Sequence, residues 1–373
     1  MIKRGIEKSF VSRLDDHKVL IVFGARQVGK TTFLNQIFEE MESVLWLNGD
    51  DLEVRILLEN VNTQTWKILI GKHKYLIIDE AQRIENIGLK TKLLVDNKLV
   101  KVVLSGSSSF DLANKLNEPL TGRKWEYNLF PFGFQELAKH TNVITEKSLL
   151  ENRLVFGAYP EVVLNQGEEK SILTTLSDSY LYKDIFSWQG IRKPEKLKLL
   201  LMALAFQLGN EVSYNELGKT IGLDNQSVES YIDLLEKNFI VFRLTSFSRN
   251  LRKELISKRK IYFWDLGIRN AIIAQFQPIP LRQDVGNLFE NYFIAERIKY
   301  NRNQGFFSNY YFWRTHDQQE IDLIEEVDGK LIAYEIKWNA TKKVRFSKTF
   351  TNNYENVETH VVNPNNYFTY LTS

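Results

Sequence analysis

The run Gly24-Ala25-Arg26-Gln27-Val28-Gly29-Lys30-Thr31 has the residue types and spacing of a loop that grips a polyphosphate. Glycines at 24 and 29 let the backbone turn tightly enough for successive N–H groups to face phosphate oxygens at the positive end of a following helix. Lys30 adds a mobile cation for β- and γ-phosphates. The hydroxyl of Thr31 is placed to ligate Mg²⁺, and Thr32 continues into the helix. The pattern implies a nucleoside triphosphate as ligand, with Mg²⁺ as its companion.

Further along, Lys74-Tyr75-Leu76-Ile77-Ile78-Asp79-Glu80 is an apolar strand that ends in adjacent carboxylates. Open α/β sheets place their ligands at that edge, where Asp79 would hold Mg²⁺ through water and Glu80 would polarise an attacking water. Taken alone, two acids after a strand could also cap a helix. Val102-Val103-Leu104 leads into Ser105, whose hydroxyl could sense a γ-phosphate or orient water, or could belong to an ordinary polar turn. Arg123, in Leu120-Thr121-Gly122-Arg123, could complete a neighbouring subunit's site as an arginine finger or could simply be solvated.

A second set of charges sits near the other end. Asp328-Gly329 separates Gln319–Val327 from Lys330–Trp338, and this dipeptide is a strong two-residue hairpin signal. Counting outward pairs Val327 with Lys330, Asp322 with Glu335 and Glu320 with Lys337. Alternation then puts Glu320, Asp322, Glu335 and Lys337 on one face, and Ile321, Leu323, Ile332, Tyr334 and Ile336 on a core face. Glu320 opposite Lys337 reads as an ion pair. Asp322 opposite Glu335 is a like-charge pair that calls for a cation between them, and a divalent metal with Lys337 beside it satisfies both. Gly286–Glu296 reads as a helix that could present Glu290 to the same metal or leave it in solvent.

The elements that must position these residues alternate strand and helix over residues 1–140, with strands near 19–23, 44–48, 75–79, 101–105 and 125–129. That order demands a parallel sheet covered on both faces. Residues 141–194 read as a helical linker. Over 195–270 the spacing predicts a packed helix, then a helix-turn-helix from Ser213 to Asn238, then strands at 239–244 and 260–264, which together outline a winged helix. Ser213 with Glu216 is a capping box. The wing holds Arg249, Arg252, Lys253, Lys258, Arg259 and Lys260 against one acid, enough to meet several phosphates of a duplex unless the loop is merely solvated or serves protein contacts. Residues 285–373 form the last expected domain.

Composition narrows the classes. Zero cysteines exclude disulfides and thiolate chemistry, and five histidines disfavour zinc. A net charge of +3 means that any nucleic-acid surface is a local patch. The lack of a signal-peptide core or a long apolar run leads us to expect a cytoplasmic protein without a membrane segment.

GARQVGKTT, LIIDEAQ, LSGSSS, the LTGR turn before PFGF, GAYPEVV, YLYKDI, RNLRKE with YFWDLGIRNA, and GNLFENYFIAE together resemble a prokaryotic family of AAA+-type P-loop ATPases. Members carry a C-terminal domain of long-unassigned function that looks like the PD-(D/E)XK nuclease fold. The resemblance implies an α/β P-loop NTPase sheet, a winged-helix region and a restriction-endonuclease-like domain. It carries Glu290, Asp322 and Glu335 over as ligands of Mg²⁺ or Mn²⁺, with Lys337 beside them. Many relatives of that fold bind DNA without cutting it. The expectation is an ATP-hydrolysing, DNA-associated homo-oligomer, possible as a ring, acting on duplex ends or branched junctions. The alternative is a nucleotide-dependent switch that holds protein partners or an operator without cleavage.

Overall fold

The computed structural model describes residues 1–107, 116, 118–180, 193–248, 258–315, 317 and 319–372. The chain divides into two compact units, one of residues 3–131 with 237–239 and one of residues 1–2, 132–236 and 240–373. The first boundary falls at Pro131, inside the Phe130–Phe134 exit and a little ahead of residue 140. Among the described residues, no helix is long and apolar enough to cross a membrane.

The smaller unit is a five-stranded parallel sheet of β1 (Val19–Gly24), β2 (Val44–Asn48), β3 (Tyr75–Asp79), β4 (Lys101–Gly106) and β5 (Lys124–Leu129), in the order β2-β3-β4-β1-β5. These strands fall within a residue of the expected positions. Every residue of β1 is buried, as a strand covered on both faces requires. Between strands, side chains start the helices: Asp51 accepts from Glu53 N at 2.8 Å, and Asn62 from Gln64 N and Thr65 N at 2.9 Å. At the edge where β1 meets β5, a Cβ on Gly24 would lie 2.3 Å from the Leu129 carbonyl oxygen, so only glycine can stand there.

The larger unit begins with helices and ends in a seven-stranded mixed sheet. Its strands are β6 (Glu211–Val212), β7 (Val241–Ser246), β8 (Arg259–Phe263), β9 (Asn309–Arg314), β10 (Glu320–Val327), β11 (Lys330–Ile336) and β12 (Val357–Val362), ordered β12-β11-β10-β9-β7-β8-β6. The helices Tyr214–Ile221 and Asn225–Lys237 follow one another across the short turn at residues 222–224. Ser213 Oγ accepts from Glu216 N at 3.3 Å, and Gly222 closes the first helix at φ 74°. The regions drawn apart in sequence at 270 and 285 share one sheet, because β7 pairs in parallel with β9 at Thr245↔Tyr311 and Ser246↔Phe312.

The hairpin has the register that counting requires, from Val327↔Lys330 to Leu323↔Tyr334, with Asp328 and Gly329 both at positive φ. Its faces differ from simple alternation. The register of β10 against β9 shifts between Ile321 and Ile324, which brings both into one cluster with Trp313, Leu331, Ala333 and Phe350. Tyr334 turns the other way, its ring centroid 5.6 Å from that of Phe293 on the helix Val285–Gln304. Both faces are therefore covered, Ile332 is only half-buried, and the charged residues enter a covered sheet in place of forming an open polar face.

Helices of the larger unit meet on buried Asp265, which accepts from Ala158 N at 2.7 Å and from Ile268 N at 3.1 Å. Gly157 sits at φ 68°, and a Cβ there would lie 2.2 Å from Asp265 Oδ1. Gly157→Ala is expected to cost on the order of 3 kcal/mol. A thermal unfolding midpoint unchanged from the parent protein would remove this account of the junction.

Candidate functional site

The phosphate-loop residues lie at the C-terminal end of β1. Gly29, at φ 92°, leads into the helix Lys30–Phe38, and Gln27 also takes a positive φ of 55°. The loop thus adopts the left-handed conformations that turn consecutive amides toward one point. Val28 is buried beneath it, whereas Gln27, Thr31 and Thr32 are exposed and Arg26 is half-buried. Lys30 Nζ donates to the carbonyls of Gly24 at 3.0 Å and Ala25 at 2.8 Å, so the ammonium lies folded against its own loop.

Arg4 supports the loop from the chain's start. Its guanidinium donates to Val28 O at 3.3 Å and also to Phe130 O. An isolated arginine far from any motif carries no sequence signal for this contact.

Asp79 ends β3, which is separated from β1 by β4. Thr31 Oγ1 nevertheless donates to Asp79 Oδ2 at 2.6 Å, bringing together two hard oxygen donors suited to Mg²⁺. The Ser105 hydroxyl, fully buried, donates to Asp79 Oδ1. Ser105 therefore orients Asp79.

Glu80 follows at φ 49°, and its carboxylate accepts from Gln82 Nε2 at 2.5 Å. Gln82 Nε2 also lies 3.1 Å from Ser107 Oγ, so Gln82 links Glu80 to the end of β4. A Cβ on Gly49 would lie 2.4 Å from the Glu80 carbonyl oxygen, which explains the glycine beside this strained turn. Arg123 pairs with Asp96 at 2.7 Å on the surface of its own unit, so a finger role would require that pair to open.

The cations expected to line a wing are distributed differently. Arg249, Arg252 and Lys253 lie outside the described residues. Lys258 pairs with Glu211 at 2.7 Å, and Arg259 lies 3.6 Å from Glu229 and 4.8 Å from the centre of the Tyr214 ring. Lys260 does not line a wing as expected: it is 2 % exposed and points inward from β8. Burial opposes its charge, yet Glu290 and Glu320 hold its pKa above the ordinary lysine value.

Lys260 enters the carboxylate cluster. Its Nζ lies 2.5 Å from Glu320 and 3.3 Å from Glu290, and Glu290 also accepts from the Tyr262 hydroxyl at 2.6 Å. Lys337 lies 2.8 Å from both Asp322 and Glu335, and Asp322 further accepts from Ile336 N at 2.7 Å. The expected Glu320–Lys337 pair is thus replaced by two pairings with other partners. Glu290, Asp322 and Glu335 do come to one neighbourhood. Among the described residues, however, no group of three acidic or histidine side chains could hold one metal ion. A metal does not fit this arrangement, in which lysines and a phenol already engage one oxygen of each of Glu290, Glu320, Asp322 and Glu335. Glu325 was also missed as a buried group: alternation gave no sign that it would pair with Arg297 at 2.9 Å.

Residues 16–138 match the AAA domain family, while 147–278 and 285–371 match two domains of unknown function, DUF8612 and DUF4143. An uncharacterised protein of Methanocaldococcus jannaschii is 25% identical over 370 residues, covering 92% of this chain and 80% of the relative. One from Haemophilus influenzae is 24% identical over 352 residues, covering 87% and 84%. A Walker-type ATPase of Pyrococcus abyssi superposes with a TM-score of 0.52 at 14% identity, covering 73% of this chain and 96% of that structure. The smaller unit has the AAA-type P-loop ATPase fold.

Burial, reinforced by Asp322 and Glu320 against the opposing Lys260, pushes Glu290 up to about 7 from 4.5. Burial and Asp322 push Glu335 up to about 6 from the same value. An acid whose pKa rises on folding binds its proton more tightly when folded, so its stabilisation is present at low pH and lost as pH rises through the folded pKa. Thermal midpoints should therefore decline from pH 4.5 towards about 7, and Glu290→Gln should flatten the part of that decline above about 6. Parallel pH profiles for the two proteins would contradict the assignment.

Proposed function

We propose that this chain binds ATP on residues 24–32, hydrolyses it with Mg²⁺, and passes its nucleotide state to the larger unit. The observation that carries this reading is the 2.6 Å contact of Thr31 with Asp79, beside the loop-bound Lys30 and the adjacent Glu80. In binding, Lys30 exchanges the carbonyls of Gly24 and Ala25 for phosphate oxygens, while the loop amides receive the remaining negative charge. Glu80, steadied by Gln82, takes the proton of the attacking water. Mg²⁺, when bound by Thr31 directly and by Asp79 through water, would withdraw charge from the β- and γ-phosphates.

DNA, in particular duplex ends or branched junctions, is our proposal for the partner of the larger unit. Two features support it. One is the helix-turn-helix followed by antiparallel β7 and β8, the arrangement of a winged helix. The other is the succession of a long helix, β9, β10, β11, a short helix and β12, which brings Glu290 and Asp322 near Glu335-Ile336-Lys337 in the manner of the PD-(D/E)XK fold. The second reading, a switch that holds protein partners or an operator without cleavage, is favoured by the pairing of Lys258 and Arg259 with acids of their own unit. In a homo-oligomer, Arg123 would serve a neighbour by exchanging Asp96 for that neighbour's phosphate.

Lys30→Ala is expected to abolish the heat of ATP binding in calorimetry, and Glu80→Gln to retain binding while lowering turnover by about 10²-fold or more. Parent-like turnover in either variant would refute the roles assigned. Stimulation of wild-type turnover by linear, single-stranded or four-way DNA would favour the DNA reading. Indifference to all of them would favour the protein-partner switch.

A further inference from the structure

The cluster formed by Glu290, Glu320, Asp322 and Glu335 contains more acid than a covered sheet tolerates without compensation. The compensation is internal. Lys337 reaches it from the end of β11, as the spacing of the hairpin allows. Lys260 comes from a different part of the unit, on β8, the second strand after the helix Asn225–Lys237. Its backbone is held on both sides, opposite Leu244 of β7 and Glu211 of β6, and its ammonium lies 5.4 Å from the centre of the Phe312 ring.

We propose that Lys260 and Lys337 are the resident cations of this cluster, and that Lys260 bars a divalent metal from it. A divalent ion needs several oxygens with free lone pairs directed at one point. Here Glu290 Oε1 accepts from Tyr262 and faces Lys260, Glu320 faces Lys260, and Asp322 Oδ2 is shared by Ile336 N and Lys337. A metal entering between Glu290 and Glu320 would strand the Lys260 ammonium, whose side chain is only 3% exposed, without a counter-charge. The same ammonium ties β8 to the helix Val285–Gln304, so Lys260 is a positioning residue at the join between the helix-turn-helix strands and the hairpin. The inference stands apart from the nucleotide site and does not require its reading to hold.

Mn²⁺ titration of the full chain without nucleotide, followed by electron paramagnetic resonance, tests it. Wild type and Asp322→Asn should give the same weak background. Lys260→Met, which keeps the side chain's bulk without its charge, should bind Mn²⁺ at least about tenfold more tightly than wild type, and the gain should vanish in Lys260→Met/Asp322→Asn. A wild-type Mn²⁺ site lost in Asp322→Asn would overturn the proposal, as would the lack of any gain in Lys260→Met. Should Lys260→Met unfold, the double variant Lys260→Met/Glu290→Gln provides the second measurement, since it neutralises both members of the pair. Its thermal midpoint should recover most of the loss, and no recovery would overturn the proposal.

Discussion

The contact between the Thr31 hydroxyl and the Asp79 carboxylate joins two strand ends that are not neighbours in the sheet. It forms only if β4 lies between β1 and β3 and all three end at the same edge. Parallel pairing enforces that geometry, because strands entering from one side must deliver their C-terminal loops together. The buried Ser105, the tight Gly49 and the Gly24–Leu129 approach all preserve this edge. The smaller unit is organised around placing a hydroxyl, a carboxylate and an ammonium beside one row of backbone amides.

Charge is handled differently in the larger unit. Its sheet is covered on both faces, so each ionic side chain that enters must bring or find a partner. Arg297 meets Glu325, Lys299 meets Glu296, Arg153 meets Glu146, and Lys260 meets Glu290 and Glu320. Two of these pairs fix the helix Val285–Gln304 against the sheet, Arg297 to β10 through Glu325 and Glu290 to β8 through Lys260, so a shift of that helix would leave a charge without a partner. The join of β7 to β9 makes the helix-turn-helix strands and the terminal hairpin a single sheet, and Lys260 crosses that join as an ion pair.

Patterns confined to a short stretch were legible. Strand ends near 24, 79 and 105, the two helices that follow Ser213, and the register about Asp328-Gly329 all follow from period, turn chemistry and apolar runs. Hairpin counting put Asp322, Glu335 and Lys337 together, whereas Glu290, some thirty residues upstream on a helix, joined them only through the family resemblance. Hidden were the β10 irregularity that places Ile321 with Ile324, the inward turn of Lys260, and the supports Arg4 and Gln82. A basic run such as Arg259-Lys260 cannot tell which member faces solvent until the strand's two neighbours are known.

By itself the amino-acid sequence determined the phosphate-binding loop, the acidic strand end and the hairpin register, because each is set by backbone rules acting over a few residues. Only the tertiary structure decided which cation meets which acid and whether a face that reads as polar is open or covered. Long charged side chains can choose among partners far apart in the chain, and the desolvation cost of a buried charge resolves that choice only once the sheets have closed.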